Sequence, residues 1–425
     1  MIYKNETIAA DTIEQLAHCH SHYHRWLIFS DLHVMSSSLL TCLEVLETVH
    51  NTALKQNAGI LFLGDFWHHR GFVKVKELNG VLEALSKWTV PCIMIPGNHD
   101  QIDWKGVEHA LSPLSSSYRI TSPSKAVGTG PAKQYAGPLI LSKPTKFLNA
   151  LFVPHTRDKA TMHAILASRE AAASSAMFVH ADVKGASMND FVQSQHGLPA
   201  ALFPAGKHVY SGHFHKPHTT RAKKASSEED GSSIRYVGSA YQTSFSEAGQ
   251  AKSLLVVDAE RDWQCVAQLP IDIGPRYHRV ASVQQLLDSG GARFRRGDKV
   301  AVTACQQEIE ELRIRAQVED KSSSFDTRLA ELRQAGIAVE IRDGQPRSPT
   351  GETVAASSNE GRQRELEDLS PEATLAAYLE HEVAHGDIGE ATAKAMLKKG
   401  VGILREASDG PSLSLNSPPN EAELE

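Results

Sequence analysis

Two short patterns in this chain place metal-binding side chains two positions apart, Asp31-Leu32-His33 and His213-Phe214-His215. In an extended backbone residues i and i+2 project to the same side, so the first offers a carboxylate with an imidazole and the second offers two imidazoles. Either pair alone is weak evidence in a chain with 21 histidines. The weight changes because Gly64-Asp65, Gly97-Asn98-His99-Asp100 and His180 also close apolar runs. Carboxylate, amide and imidazole donors together suit borderline divalent ions such as Mn²⁺, Fe²⁺ or Zn²⁺ better than Ca²⁺ or a metal selected by thiolates.

The runs that must position these residues are WLIFSD, GILFLGD, VPCIMIPGNHD, ALFVPH, AMFVHAD and KHVYSGHFH. Each is continuously apolar and then turns polar, the pattern of strands buried on both faces. Leu39, Leu43, Leu46 and Val49 recur at helical spacing between the first two runs, and Leu78, Val81, Leu82, Leu85 and Trp88 before the third. The expectation is an α/β layered fold, β-sheets flanked by helices, with the ligands beyond the carboxyl ends of the strands. After Gly212 come shorter strand-like segments, SIRYVGS, KSLLVVDAE and WQCVAQLPI, read as a late β-rich layer that closes the domain near Ile273.

The organisation that follows is an N-terminal extension (1–25), a main domain (26–273), a small α/β cap (276–342), a polar linker (343–369), a C-terminal helical segment (370–406) and a disordered tail (407–425). Within the cap, RYHRV, DKVAVTA and IAVEIR read as strands, with a long helical stretch reaching Gln334. In the helical segment Ser370 caps, Pro371 takes the first helical position, and Leu375, Tyr378, Leu379 and Val383 form a stripe. Hydrophobic residues make up 41% and no run reaches the length of a membrane span, so a soluble protein without membrane association is expected. The early acidic residues and missing apolar core of the N-terminus argue against a secretory signal. Cys19, Cys42, Cys92, Cys265 and Cys305 are scattered and form no CxxC, which points to an intracellular, reducing compartment. Residues 351–425 hold 6 Lys+Arg against 15 Asp+Glu, so the net charge of −6 leaves the first 350 residues at +3. That balance permits a polyanionic substrate without requiring one.

The motifs DLH, GDFWHH, GNHD, VHAD and GHFH, in this order and at strand ends, resemble the calcineurin-like metallophosphoesterase family over residues 26–272. Within it the chain resembles the SbcD-type DNA double-strand-break repair nucleases. The second motif ends in His68 where phosphoprotein phosphatases show Asp-Arg, and YVGSAYQTSFSEAGQAKSLLVVD is similar to the nucleases' segment after the GHxH motif. The resemblance implies a layered metallophosphoesterase fold and two divalent metal ions, Mn²⁺ first, with Fe²⁺ or Zn²⁺ as alternatives. It implies that Asp31, His33, Asp65 and His215 hold one ion and Asp65, Asn98, His180 and His213 the other, with Asp65 as the bridge. It gives His99 the leaving oxygen and His68 the placement of the scissile phosphate. It also implies DNA as substrate, a cap that helps seat it, and helices after the cap that dock on an SMC-like coiled-coil ATPase; a homodimer stays open.

Around that core several residues carry two readings. Asp100 orients His99 and raises its basicity, or caps a following helix. His69 and His155 stand behind the ligands or on the surface. His18, His20, His22 and His24 form a solvated segment or an adventitious metal site, and Lys216, Arg221, Lys223 and Lys224 meet a phosphate backbone or solvent. The leading expectation is a Mn²⁺-dependent DNA nuclease active in end processing. Its rivals are a phosphatase or phosphodiesterase for a protein, nucleotide or small phosphoester, and a scaffold of the same fold without catalysis.

Overall fold

A computed structural model describes residues 23–103, 106, 108–121, 134–190, 192–221, 232–288, 293–318, 325–343, 379, 392 and 394–401. Most of the expected N-terminal extension, the linker, most of the helical segment 370–406 and the tail lie outside the described residues. The chain divides into two units, Met1–Ala355 and Ala356–Glu425. In the second, residues 394–401 are helical.

The first unit opens with β1 (Arg25–Phe29), β2 (Ala58–Phe62), β3 (Cys92–Met94), β4 (Tyr118–Thr121), β5 (Gln134–Gly137), β6 (Leu139–Ile140), β7 (Thr145–Phe147) and β8 (Ala150–Val153). It continues with β9 (Ala176–His180), β10 (His208–Gly212), β11 (His218–Arg221), β12 (Ser233–Tyr236), β13 (Lys252–Asp258) and β14 (Gln264–Ile271). Two six-stranded sheets result, in the orders β14-β13-β1-β2-β3-β6 and β11-β12-β10-β9-β8-β7. Helices α1 (Leu39–Gln56) and α2 (Val75–Ser86) belong to the first sheet, and α3 (Lys159–Leu166) and α4 (Arg169–Ala173) to the second.

Strand alternation explains the layers. Leu27, Phe29, Ile60 and Phe62 share a core with Cys42, Val45, Val49, Val81 and Leu85 of the two helices. Trp26, Ile28 and Leu61 point the other way, into a core with Phe152, Phe178, Tyr210 and Trp263 between the sheets. Leu151, Val153, Met177 and Val179 of the second sheet face Met162 and Leu166 of α3. The order is therefore helix, sheet, sheet, helix. Because both faces of each central strand are covered, its sequence is apolar without alternation. In register, β1 lies parallel to β2 with Phe29 beside Phe62, β2 parallel to β3 with Phe62 beside Met94, and β9 parallel to β10 with His180 beside Gly212. All five strands thus stop at one edge of the sandwich.

The late strands do not form a layer of their own. β13 pairs antiparallel with β1 and carries β14 onto the first sheet, while β11 and β12 extend the second. β13 is buried along all seven residues, which only an interior place in a covered sheet provides. The strands β4 to β7 escape sequence reading because each is only two to four residues long. Residues 277–343 build a three-stranded sheet, β15 (Tyr277–Val280), β16 (Lys299–Ala304) and β17 (Ala338–Asp343), parallel throughout. Its helices are α5 (Val283–Asp288), α6 (Gln306–Val318) and α7 (Phe325–Gln334), so the stretch expected as one long helix is described as two.

One glycine sets the spacing of the first sheet. Trp26 pairs with Gly59 across β1 and β2, and a Cβ on Gly59 would lie 2.5 Å from the indole ring. That ring cannot retreat, since it is fully buried against Phe147 and Trp263, with centroids at 6.0 and 6.5 Å. Gly59→Ala is expected to cost about 1–3 kcal/mol of stability by overpacking. Urea unfolding checks it: an unchanged midpoint and slope would show that the ring yields freely.

Candidate metal centre

Beyond the strand ends the backbone turns sharply, and the turns are made by the chemically competent residues. Asp31, His33, Asp65 and His213 all have positive φ, at 52°, 47°, 60° and 94°. Non-glycine residues rarely adopt that region, and clusters of them mark functional sites. This corrects the reason expected for the two chelating pairs. β1 stops at Phe29 and β10 at Gly212, so Asp31-Leu32-His33 and His213-Phe214-His215 meet their partners through left-handed turns, not through the pleat of a strand. The loops after β1 and β2 stay zipped together, with Asp31 N donating to Gly64 O at 3.0 Å and His33 N to Asp65 O at 3.1 Å.

Two groups of ligand atoms result, Asp31 with His33 and His215, and Asp65 with His180 and His213; within each the atoms lie within 4.8 Å of one another. Asp65 joins the groups, its Oδ1 3.4 Å from His180 Nε2 and its Oδ2 3.7 Å from His33 Nε2. Asn98 Oδ1 sits 2.8 Å from His180 Nε2 and 2.9 Å from His213 Nδ1. His33 Nε2 and His215 Nε2 are 3.0 Å apart. All seven residues proposed as metal ligands are therefore brought together. His68 and His99 form a third group with His33 at the rim, their rings 5.9 Å apart and stacked.

The hydrogen bonds behind the ligands test whether cations fit. His180 Nδ1 lies 2.7 Å from the carbonyl of Leu63, and His215 Nδ1 2.7 Å from Glu247 Oε1. Both outer nitrogens donate there, so in the neutral imidazoles both Nε2 atoms turn lone pairs inward, as in a metal-ligating histidine. His180 Nε2 then faces the oxygens of Asn98 and Asp65. Oxygens and imidazole nitrogens facing one another in a buried space call for a positive charge between them, which protons supply without metal and a pair of divalent cations would supply when bound.

The charges of the metal-free cluster tell the same story. Burial, reinforced by the Asp65 charge, pushes Asp31 up to about 7 although His180 pulls it down. Burial would also raise Asp65, but His180, His99 and His33 hold it well below the ordinary range. Burial lowers His180, yet Asp65 overrides it and lifts the imidazole to about 9. His33 is driven well down by burial and by His215 and His99. The side chains compete for protons whose places cations would take.

Asp100 has neither of its expected roles. Its carboxylate accepts from the backbone N–H of Asp65 (2.8 Å), Gly97 (2.9 Å), Phe66 (2.9 Å) and Trp67 (3.1 Å), clamping the loop that carries Asp65. No described helix follows it. His99 is oriented instead by the carbonyl of His68, 2.7 Å from its Nδ1, and its own N–H donates to Asp65 Oδ1 at 2.8 Å. Gly97 allows this packing, because a Cβ there would collide with Asp65 Oδ1 and the Asp65 nitrogen.

Sequence reading assigned no role to Glu247 or Lys252. Glu247 is buried and bonds His215 and Lys252 Nζ, each at 2.7 Å, while Lys252 also donates to the His215 carbonyl at 2.8 Å. Lys252 and His215 hold this carboxyl well below its ordinary range despite burial. The available signal was an acidic residue and a lysine inside the otherwise uncharged segment 236–257. His155 is half-buried behind His180, ring centroids 5.8 Å apart, and its Nδ1 is 3.3 Å from the His180 carbonyl. His69 stacks on the exposed Phe72. Lys216 pairs with Asp190 at 2.6 Å and Arg221 is exposed, while Lys223, Lys224, His18, His20 and His22 lie outside the described residues. His24 pairs with Glu260 at 3.0 Å.

The model of the calcineurin-like phosphoesterase family matches residues 24–217, so this segment is similar to that family. No curated protein sequence matches the chain. Among solved structures, the purple acid phosphatase PPD1 from yellow lupin (Lupinus luteus) seeds is similar at 13% identity and a TM-score of 0.33. That match covers 58% of this chain and 53% of the phosphatase chain.

Asp65→Ala is expected to abolish binding of both cations together while the fold persists, since both groups lose their shared carboxylate. Asp100→Asn is expected to weaken cation binding about 10–100-fold, because an amide cannot accept four N–H bonds. Metal analysis after gel filtration checks both: full occupancy in the Asp65 variant, or wild-type affinity in the Asp100 variant, would contradict these roles.

Proposed function

We propose that this domain hydrolyses phosphodiesters and that its substrate is DNA. The observation that carries the reading is the imidazole of His68 at the rim of the cation groups. Its ring lies 5.5 Å from that of His33 and its nitrogen clusters with those of His33 and His99. An imidazole, neutral or singly charged, suits the single negative charge of a diester embedded in a strand. A guanidinium at that place would grip a phosphomonoester dianion with two permanent hydrogen bonds. The resemblance of YVGSAYQTSFSEAGQAKSLLVVD to the nucleases supports the same choice.

When bound, two divalent cations supply Lewis acidity that neutralises phosphoryl oxygens and makes water a better nucleophile. Asp31, His33 and His215 would hold one, Asn98, His180 and His213 the other, and Asp65 both. Manganese is proposed as the working ion. The chain's own contribution to the reaction is positional and acidic. His99 Nδ1 donates to the carbonyl of His68, which leaves Nε2 facing the departing oxygen, where a protonated His99 would deliver its proton. His68 positions the scissile phosphate from the adjoining loop, so phosphate placement and leaving-group protonation are mechanically joined through that hydrogen bond.

His99→Ala should keep both cations yet lose turnover by about 10²–10⁴-fold. Wild-type protein in Mn²⁺ should cleave linear DNA far better than it dephosphorylates peptides, and His68→Ser should lose DNA degradation with both cations retained. Assays on linear, hairpin and single-stranded DNA beside a phosphoserine peptide decide the matter. A protein that dephosphorylates the peptide, ignores every DNA and is indifferent to His68→Ser is a phosphatase.

A further inference from the structure

The segment 242–247, between β12 and β13, has two sides with different partners. Toward the cation groups it presents side chains: Thr243 Oγ1 lies 3.0 Å and Glu247 Oε1 2.7 Å from His215 Nδ1, and these two side chains also bond each other. Toward the three-stranded sheet of residues 277–343 it presents mainly backbone. Tyr277 Oη donates to the Thr243 carbonyl at 2.9 Å, and Arg279 Nε to the Phe245 carbonyl at 3.0 Å. Tyr277 N donates to Gln242 Oε1 at 2.7 Å. The Phe245 ring fills the remaining space, edge-on to Tyr277 at 4.9 Å and beneath the Arg342 guanidinium at 4.5 Å.

We propose that this segment is a strap through which the small sheet sets the affinity of one cation group, with Tyr277 and Arg279 as positioning residues acting through Thr243 and Glu247 on His215. The inference rests on reading Asp31, His33 and His215 as cation ligands; it does not depend on the substrate being DNA. His215 ligates only if its outer nitrogen donates to Glu247 in the right direction, and Glu247 Oε2 is held by Lys252 at 2.7 Å and Ser239 at 2.9 Å. Those anchors fix one end of the strap, at Glu247. The other end, at Gln242 to Phe245, is fixed by bonds from β15. Loosening that end lets Thr243 and Glu247 rotate away from the imidazole, whereas Asp65, His180, Asn98 and His213 draw on other elements. A substrate or partner that shifts the small sheet would therefore change cation binding at one group and spare the other.

The test uses the full-length chain stripped of metal and titrated calorimetrically with Mn²⁺ alone, in wild type, Tyr277→Phe, Arg279→Ala and Glu247→Gln. Expected is a loss of about tenfold in one of two binding steps in all three variants, the other step unchanged. The urea midpoint of the metal-free Tyr277→Phe protein should stay at the wild-type value. Two wild-type steps in Tyr277→Phe and Arg279→Ala, with one step weakened in Glu247→Gln, would overturn the strap and leave the ligand assignment standing. Wild-type binding in all three would overturn both, as would a wild type that binds no Mn²⁺. Loss of both steps together with a lowered midpoint would mean general destabilisation and would equally refute the proposal.

Discussion

The arrangement of this protein turns on a local repulsion: buried carboxylate and amide oxygens and inward-turned imidazole lone pairs meet at the ends of two sheets. Burying such groups is costly unless something positive joins them. Much of the surrounding structure reads as apparatus for holding them in place. Asp100 spends its whole carboxylate on four backbone donors of the loops beside Asp65. Leu63 and Glu247 hold the outer nitrogens of His180 and His215 as donors, which leaves Nε2 of each facing the cluster. Asp31, His33, Asp65 and His213 sit in left-handed conformations that persist only if the sheets above them are rigid.

The rigidity comes from the aromatic layer between the sheets. Trp26, Phe152, Phe178, Tyr210 and Trp263 interlock at centroid distances of 4.8 to 6.5 Å. Packed interiors of this kind are not continuously deformable, so a displacement of one strand end relative to another is resisted by the whole layer. That makes the sheet ends a firm seat for most of the ligands. His215 differs, since its orientation depends on a loop segment shared with the small sheet, and affinity at its group is open to modulation where the rest is not.

Chemistry is divided in the same manner. The cation groups sit in the buried angle between the sheets, while the two histidines suited to act on a substrate, His68 and His99, stand at the rim on adjoining loops. The His68 carbonyl and the stacking of their rings connect them. On the proposed function, selection between mono- and diesters would fall to these two residues, which hold no cation, so substrate preference could differ between proteins with the same ligand set.

The donor residues were legible from the sequence because each terminates an apolar run, and a run buried on both faces needs no tertiary information to be read. The helices α1 and α2 were legible from their stripes, with Leu46, Val49, Val81 and Leu85 buried as the spacing requires. What the chain order could not reveal was sheet order. β13 lies beside β1 although more than 200 residues separate them, so a late strand that reads like part of an added layer completes the first sheet. The role of Asp100 was invisible for a related reason: its partners are backbone N–H groups, which every residue possesses and no motif records. Glu247 meets His215 from 32 positions away. By itself, then, the sequence determined which side chains are available and which segments must be buried, because residue type and periodicity are local properties. Which donors face each other, which imidazole nitrogen holds the proton and what steadies it were decided only by the tertiary structure, because hydrogen bonds depend on distances that chain order does not set.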